Sequence, residues 1–323
     1  MASIVRWLCL WAALVSSASA LAQSSFPTKP VHIIVGFAAG GNPDVVARLL
    51  AQKLSEHWGQ QVVVENRPGS NGNIAAEIVA KSPADGYTML SSDTTTFAIN
   101  PHVYSKVPFD PFKDFTPLAQ SAVPPMYVVV HPSLPVTSMQ ELVAYAKANP
   151  GKISYASAGN GSIHHLATEL FKAATGIDMV HIPFKGSGQS APALIAGDVQ
   201  LGFVGYASVS QAIKSGRLRV IGFASGKRSL LNPDVPTIAE TVAPGFDVTS
   251  PMGLAGPANV PREVVERIES SVVGAARAPD VRAKIIAIGL EPAEGNAEVY
   301  AESIRRDYEK FGRVAKQIKL RID

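Results

Sequence analysis

The residues best suited to chemistry lie in two glycine-bearing turns, each of which leads into a helix. The first turn reads Gly36-Phe37-Ala38-Ala39-Gly40-Gly41 and follows the β-branched run Val31 to Val35. Asn42 stands at a capping position, Pro43 in the first helical turn, and Asp44 where a negative charge suits the helix dipole. The second reads Ser157-Ala158-Gly159-Asn160-Gly161-Ser162, ahead of a helix with Ile163, Leu166, Leu170 and Ala174 on one face. Free backbone N–H groups at a helix start, beside glycines that let a ligand approach the main chain, make an anion site. The chain presents two such sites, which suits a small anion held between them.

The remaining polar candidates carry simpler readings beside the functional one. Ser162 is an N-cap, a ligand contact, or both. His164 and His165 are adjacent on a helix and point about 100° apart, which is poor for joint metal ligation. Each reads as a helix-surface histidine, with His165 or its neighbour bordering a cleft, and His181 is a strand residue. Arg67 and Lys185 stand near glycines at strand ends; Arg67 reads as a solvated loop charge and Lys185 as a cation facing the cleft.

Several chemistries are excluded or disfavoured. Gly36 to Gly41 spells G-x-x-x-G-G rather than G-x-G-x-x-G, so Glu65 at the end of the next strand does not complete a dinucleotide site. No G-x-S-x-G elbow exposes a serine. No spacing pairs two carboxylates, or a nucleophile with a base, in a way that demands catalysis. No cofactor, metal or catalysis is expected; a hydrolase or isomerase on the same scaffold is the alternative reading.

The positioning elements follow from length and pattern. With 323 residues, two domains are the default. A net charge of +3 is too small on this length to argue for nucleic acid. Residues 1–22 read as a cleaved secretory signal: Arg6 is the positive start, Trp7 to Val15 the apolar core, and Ala18 to Ala22 the small-residue cleavage region. The apolar run is shorter than the about 20 residues a membrane span needs. Cys9, the only cysteine, leaves with it, so the exported chain has no disulfide and no thiol.

After Gly41, the stripe Val46, Leu50, Leu54 and Trp58 marks a helix ended by Gly59. Strands at Gln61 to Glu65 and Tyr87 to Ser92, with a helix from Ile74 to Ala80 between them, complete an alternating pattern that means a parallel, doubly wound sheet. Ligands sit beyond the carboxyl ends of such strands, which puts Ser92 and Thr94 on the same rim as the first glycine loop. Residues 100–117 read as irregular. A second α/β unit runs from Tyr127 to Ala224, and the helices near Val264, Val281 and Tyr300 to Ala315 read as cover for the first sheet. The expected division is residues 23–124 plus 247–323 in a discontinuous first lobe and 125–246 in the second, with two crossings that form a hinge.

Six blocks in order resemble the Bug family, the periplasmic solute receptors of tripartite tricarboxylate transporters. They are Phe26 to Gly41, Val62 to Gly69, Ala84 to Leu90, Asn149 to Ser162, His181 to Gly186 and Pro233 to Glu240. The resemblance implies a type II, Venus-flytrap binding protein: two α/β lobes closing on a carboxylate. Carried over by position, Phe37, Ala38, Ala39, Gly40 and Gly41 would hold one end of the ligand, helped by Ser92 and Thr94. Ser157, Ala158, Gly159, Ser162 and His165 would offer the opposite helix start, with Gly186, Phe203 and Tyr206 on the wall. The implied partners are a small organic carboxylate and the membrane permease subunits, with the receptor itself a monomer. The chain departs from the family in three places: Gly36 where proline is frequent, Val204 where an acid is frequent, and Pro251 where an aromatic is usual. Val204 in place of an acid predicts a ligand without an amine, either a dicarboxylate or an aromatic acid.

Overall fold

The computed structural model describes residues 26–322, so the signal segment with Arg6 and Cys9 lies outside the described residues. Strands β1 (Val31–Val35), β2 (Val62–Asn66) and β3 (Thr88–Ser92) are linked by helices α1 (Asn42–Trp58) and α2 (Asn73–Ala80). They pair in parallel, as crossover helices require. Helices cover both faces, so Val31, Ile33 and Val35 are wholly buried and the strand is apolar except for the partly exposed His32.

The expected irregular stretch has structure of its own. A wide π-helical turn at Thr95–Ile99 runs into α3 (Asn100–Val103), and Phe97, Phe109 and Phe115 meet edge to face before β4 (Phe115–Val123). The chain then crosses at Pro124 and Pro125 into β5 (Met126–Val130), α4 (Met139–Ala148), β6 (Ser154–Ser157), α5 (Ile163–Thr175) and β7 (Val180–Pro183). It continues through α6 (Ser187–Ala196), β8 (Leu201–Gly205), α7 (Ser210–Lys214), β9 (Arg219–Phe223) and α8 (Ile238–Thr241). The second sheet has the order β7-β6-β8-β5-β9, with β6 parallel to β7 and β8.

The returning chain enters the first sheet itself. β10 (Met252–Pro257) lies antiparallel between β3 and β4, and β11 (Glu291–Pro292) forms the edge, giving the order β11-β4-β10-β3-β1-β2. The first sheet is therefore mixed. Met-Gly-Leu-Ala-Gly-Pro has no β-branched residue and hides the strand, but Gly253 explains its own presence: a Cβ there would stand 2.5 Å from the Ala119 carbonyl and 2.6 Å from the Tyr300 ring.

α9 (Arg262–Arg277) and α10 (Pro279–Ala287) cover the α1 face as expected, and the Trp58 indole donates to Ser271 at 2.9 Å. α11 (Ala297–Gln317) does more than cover the first sheet. Tyr300 and Ile304 pack with Ile34, Leu90 and Phe97, whereas Phe311, Val314 and Ala315 pack in the cluster of Leu166, Phe171 and Phe203. A helix of 21 residues is about 30 Å long and outreaches one sheet. No helix among the described residues is long and apolar enough to cross a membrane.

Candidate functional site

The loops after β1 and β3 belong to one lobe, and those after β6, β7 and β8 to the other. Of these, the loops after β1 and β8 approach across a cavity of about 280 Å³ lined by Gly40, Asn42 and Val45 on one side and by Tyr206, Ala207 and Ser210 on the other, with Ala287 and Ile288 closing it.

The first loop is held at both ends. The Asp44 carboxylate, 2% exposed, accepts the Gly40 N–H at 2.9 Å, the Asn66 amide at 2.8 Å and the Arg48 guanidinium at 3.1 Å. Asn66 also donates to the Phe37 carbonyl at 3.1 Å, and the Phe37 ring packs on the first core. Burial pushes the Asp44 carboxyl upward, but Arg48, the Gly40 N–H and Asn66 together hold it below the ordinary value. Asn42 is not the cap: Gly41 occupies that place in extended backbone, and Asp44 reaches back to the loop. Ala38, Ala39 and Gly40 are exposed, and Gly40 has φ of +82° with nothing within 4 Å of a Cβ position. The loop thus offers bare main chain to the space between the lobes.

Ser92 and Thr94 are buried and keep their hydroxyl protons inside the protein. Ser92 donates to the Asp93 carbonyl at 3.4 Å, and Thr94 to the Asp307 carboxylate at 3.2 Å. Asp93 caps the Thr95 N–H at 2.9 Å, and burial raises its carboxyl to about 6. These hydroxyls support the rim rather than donating from it.

In the second lobe the two turns are tied together. Phe184 N–H donates to the Ser157 carbonyl and Gly186 N–H to the Ala158 carbonyl, each at 3.1 Å. Gly159 needs its bare main chain, since a Cβ would stand 3.1 Å from the Phe184 carbonyl and its φ is +124°. Ser162 caps α5 by accepting the His165 N–H at 3.3 Å, and its hydroxyl donates to the Gly159 carbonyl at 2.7 Å. That proton is already committed. Ser162→Ala is expected to cost about 1 kcal/mol of stability and to leave carboxylate affinity unchanged; calorimetry beside a denaturation curve separates the two effects.

The histidines are not surface groups. His165 is 6% exposed and stacks on His181 at 3.9 Å, while His181 stacks on Tyr155 at 4.8 Å. Ser157 Oγ lies 2.6 Å from His181 Nε2, a serine–histidine contact that sequence spacing concealed because parallel pairing of β6 and β7 creates it. Ser157 is only 1% exposed and also accepts the Gly159 N–H at 3.1 Å, so the contact braces the turn. Burial, joined by His165, pushes His181 down to about 4, and burial pushes His164, whose Nδ1 has no partner, to about 4.

Two wall residues are elsewhere. Phe203 is wholly buried in the second core, and its neighbour Val204 is buried on the opposite face of β8, because successive strand residues alternate. Neither lines the cleft. Tyr206 does border the shared cavity, and its ring packs at a tilt against Tyr127 with centroids 5.2 Å apart. Arg67 is exposed and pairs with Glu65 at 3.0 Å; Lys185 is exposed. The residues that sequence reasoning missed are those that hold the loops: Asn66, Asp307 and Lys310.

A family model described as the tripartite tricarboxylate transporter family receptor matches residues 46–320. A relative from Pseudomonas sp. strain P51, the UPF0065 protein in the tcbD-tcbE intergenic region, is 37% identical over 306 residues, covering 94% of this chain and 91% of the relative. Among solved structures, Rpa4515 of R. palustris with adipate is 35% identical with a TM-score of 0.79, covering 92% of this chain and 100% of that one. MatC of Rhodopseudomonas palustris with bound malate is 28% identical with a TM-score of 0.74, covering 90% and 99%.

Proposed function

The chain belongs to the tripartite tricarboxylate transporter receptor family, a family of periplasmic substrate-binding receptors and not of enzymes, and from that premise we propose that it captures an aliphatic dicarboxylate between its two lobes. The observation that carries the reading is the pair of main-chain loops, Phe37 to Gly41 and Ser157 to Ser162, each built at a helix start and each fixed by internal hydrogen bonds. One carboxylate at each loop uses both anion sites. The adipate and malate held by the two neighbours agree with this class. The burial of Phe203 leaves Tyr206 alone of the Phe203 to Tyr206 aromatics at the cavity, which weakens the case for a ring.

The amine-free preference rests on different residues from those the sequence suggested, because Val204 does not line the cleft. The Asp44 carboxylate is taken by Gly40, Arg48 and Asn66, and Asp93 caps Thr95 with a carboxyl raised to about 6. An ammonium group brought into the cleft finds neither of them free, and a desolvated unpaired charge is expensive. Ligand touching both lobes favours the closed form by its differential affinity for that form. The receptor then delivers its cargo to a membrane permease, which requires export, and the segment before Gln23 supplies a signal for it.

A thermal-shift screen tests the class. Adipate and malate are expected to raise the melting temperature, with benzoate weaker and aspartate weakest. Stabilisation by aspartate without any by its deaminated analogue contradicts the reading.

A further inference from the structure

α11 touches both the cleft rim and the second crossing through one buried ion pair. Asp307 is wholly buried; it accepts the Thr94 hydroxyl at 3.2 Å and the Lys310 ammonium at 3.1 Å, with the Arg306 guanidinium at 3.4 Å. Lys310 also donates to the Asp247 carbonyl at 2.5 Å. Asp247 is itself a junction, because its carboxylate accepts the Gly226 N–H at 2.8 Å from the end of the second sheet. Val248 N–H donates to the Ala224 carbonyl at 2.8 Å beside it. The path runs from the β3 rim through Asp307 and Lys310 to the crossing segment and on to the second lobe, with a direct hydrogen bond at each of those steps.

Such a pair is a poor way to gain stability. Desolvating both charges offsets most of their attraction, and apolar residues of the same volume often do as well. A buried ion pair does fix geometry, because each partner accepts only a narrow range of positions for the other. We propose that Asp307 and Lys310 are positioning residues that lock the Thr94 rim to the Asp247 crossing, so that the rim keeps one arrangement while the lobes change their angle. The inference rests on the proposed ligand site for its effect on affinity, but the mechanical tie does not.

Lys310→Met keeps most of the aliphatic stem and removes the ammonium; Lys310→Arg restores a cation. Hydrogen exchange on the ligand-free protein reads the tie directly. Lys310→Met is expected to speed exchange at both the 93–96 rim and the 224–226 and 247–250 crossing, and Lys310→Arg to restore protection. Adipate affinity is expected to fall about tenfold in Lys310→Met, an ordinary size for coupling between sites. Faster exchange confined to α11, or unchanged exchange at the rim, overturns the proposal, since a merely structural lysine would loosen its own helix alone. Asp307→Asn, which keeps shape and can still accept from Thr94, provides the second variant: loss of protection at the crossing supports the tie, and wild-type protection there overturns it. If wild-type protein fails to bind adipate while exchange couples the two segments, the ligand reading fails and the tie stands.

Discussion

Asp44→Ala is expected to lower stability by about 3 kcal/mol and to weaken dicarboxylate binding by at least about tenfold, the largest functional loss from any single side chain outside the ligand's own contacts. The carboxylate is buried and takes hydrogen bonds from Gly40, Asn66 and Arg48, so its removal leaves the Gly40 N–H and the Asn66 amide without their acceptor. The loss of the hydrogen bonds that order the loop, rather than the lost attraction to the half-exposed Arg48, makes up most of the cost, although water can answer the exposed Gly40 N–H. The loop from Phe37 to Gly41 then keeps only the Asn66 contact to the Phe37 carbonyl and its own internal turn. A binding loop that must be ordered on every encounter loses affinity. Asp44→Asn, which can still accept from Gly40, should fall between the variant and wild type. Denaturation and calorimetry on the three proteins check the order.

His164→Leu should change the protein's response to acid. Burial holds His164 at about 4 against an ordinary 6.5, so between those values the unfolded chain takes up a proton that the folded protein refuses. Wild-type stability is therefore untouched by this group above pH 6.5, falls as pH drops through the window, and reaches its full loss below 4. His164→Leu lacks that penalty. Its stability relative to wild type is expected to rise by on the order of 3 kcal/mol from pH 6.5 to pH 4. Taking the difference between variants cancels the other titrating groups near it. Asp93 has the opposite sign: its folded value of about 6 exceeds the ordinary 3.8, so it destabilises the protein most above pH 6 and progressively less toward 3.8. Any advantage of Asp93→Asn over wild type should accordingly fade across that window. Urea titrations at stepped pH measure both.

The sequence carried the frame because its signals are local. The β-branched run Val31 to Val35 and Gly59 after the first helix act within a few residues, and each appears where expected. What escaped was non-local. β10 has the composition of a loop and becomes a strand only because β3 and β4 leave a slot for it. The final helix shows one apolar stripe, and nothing in that stripe says that Ile304 and Phe311 serve different lobes. At the site, the glycine loops were legible as backbone, whereas the fate of each hydroxyl depended on acceptors far along the chain: Asp307 lies 213 residues from Thr94. Phe203 was placed on the wall by its position in the resemblance, yet alternation along β8 sends it to one core and Val204 to the other.

The most direct test of a carboxylate held between two main-chain loops is a crystal structure of the protein grown with a saturating aliphatic dicarboxylate. One carboxylate group should lie within hydrogen-bonding distance of N–H groups in the Phe37 to Gly41 loop, and the other should meet the Ala158 or Asn160 N–H, since those of Gly159, Gly161, Ser162 and Gly186 are bonded within the protein. A ligand seated on one lobe alone, or in the cavity of about 560 Å³ that the crossing residues Val123, Pro125, Asp247 and Thr249 line together with Lys227 and Arg306, would contradict the account.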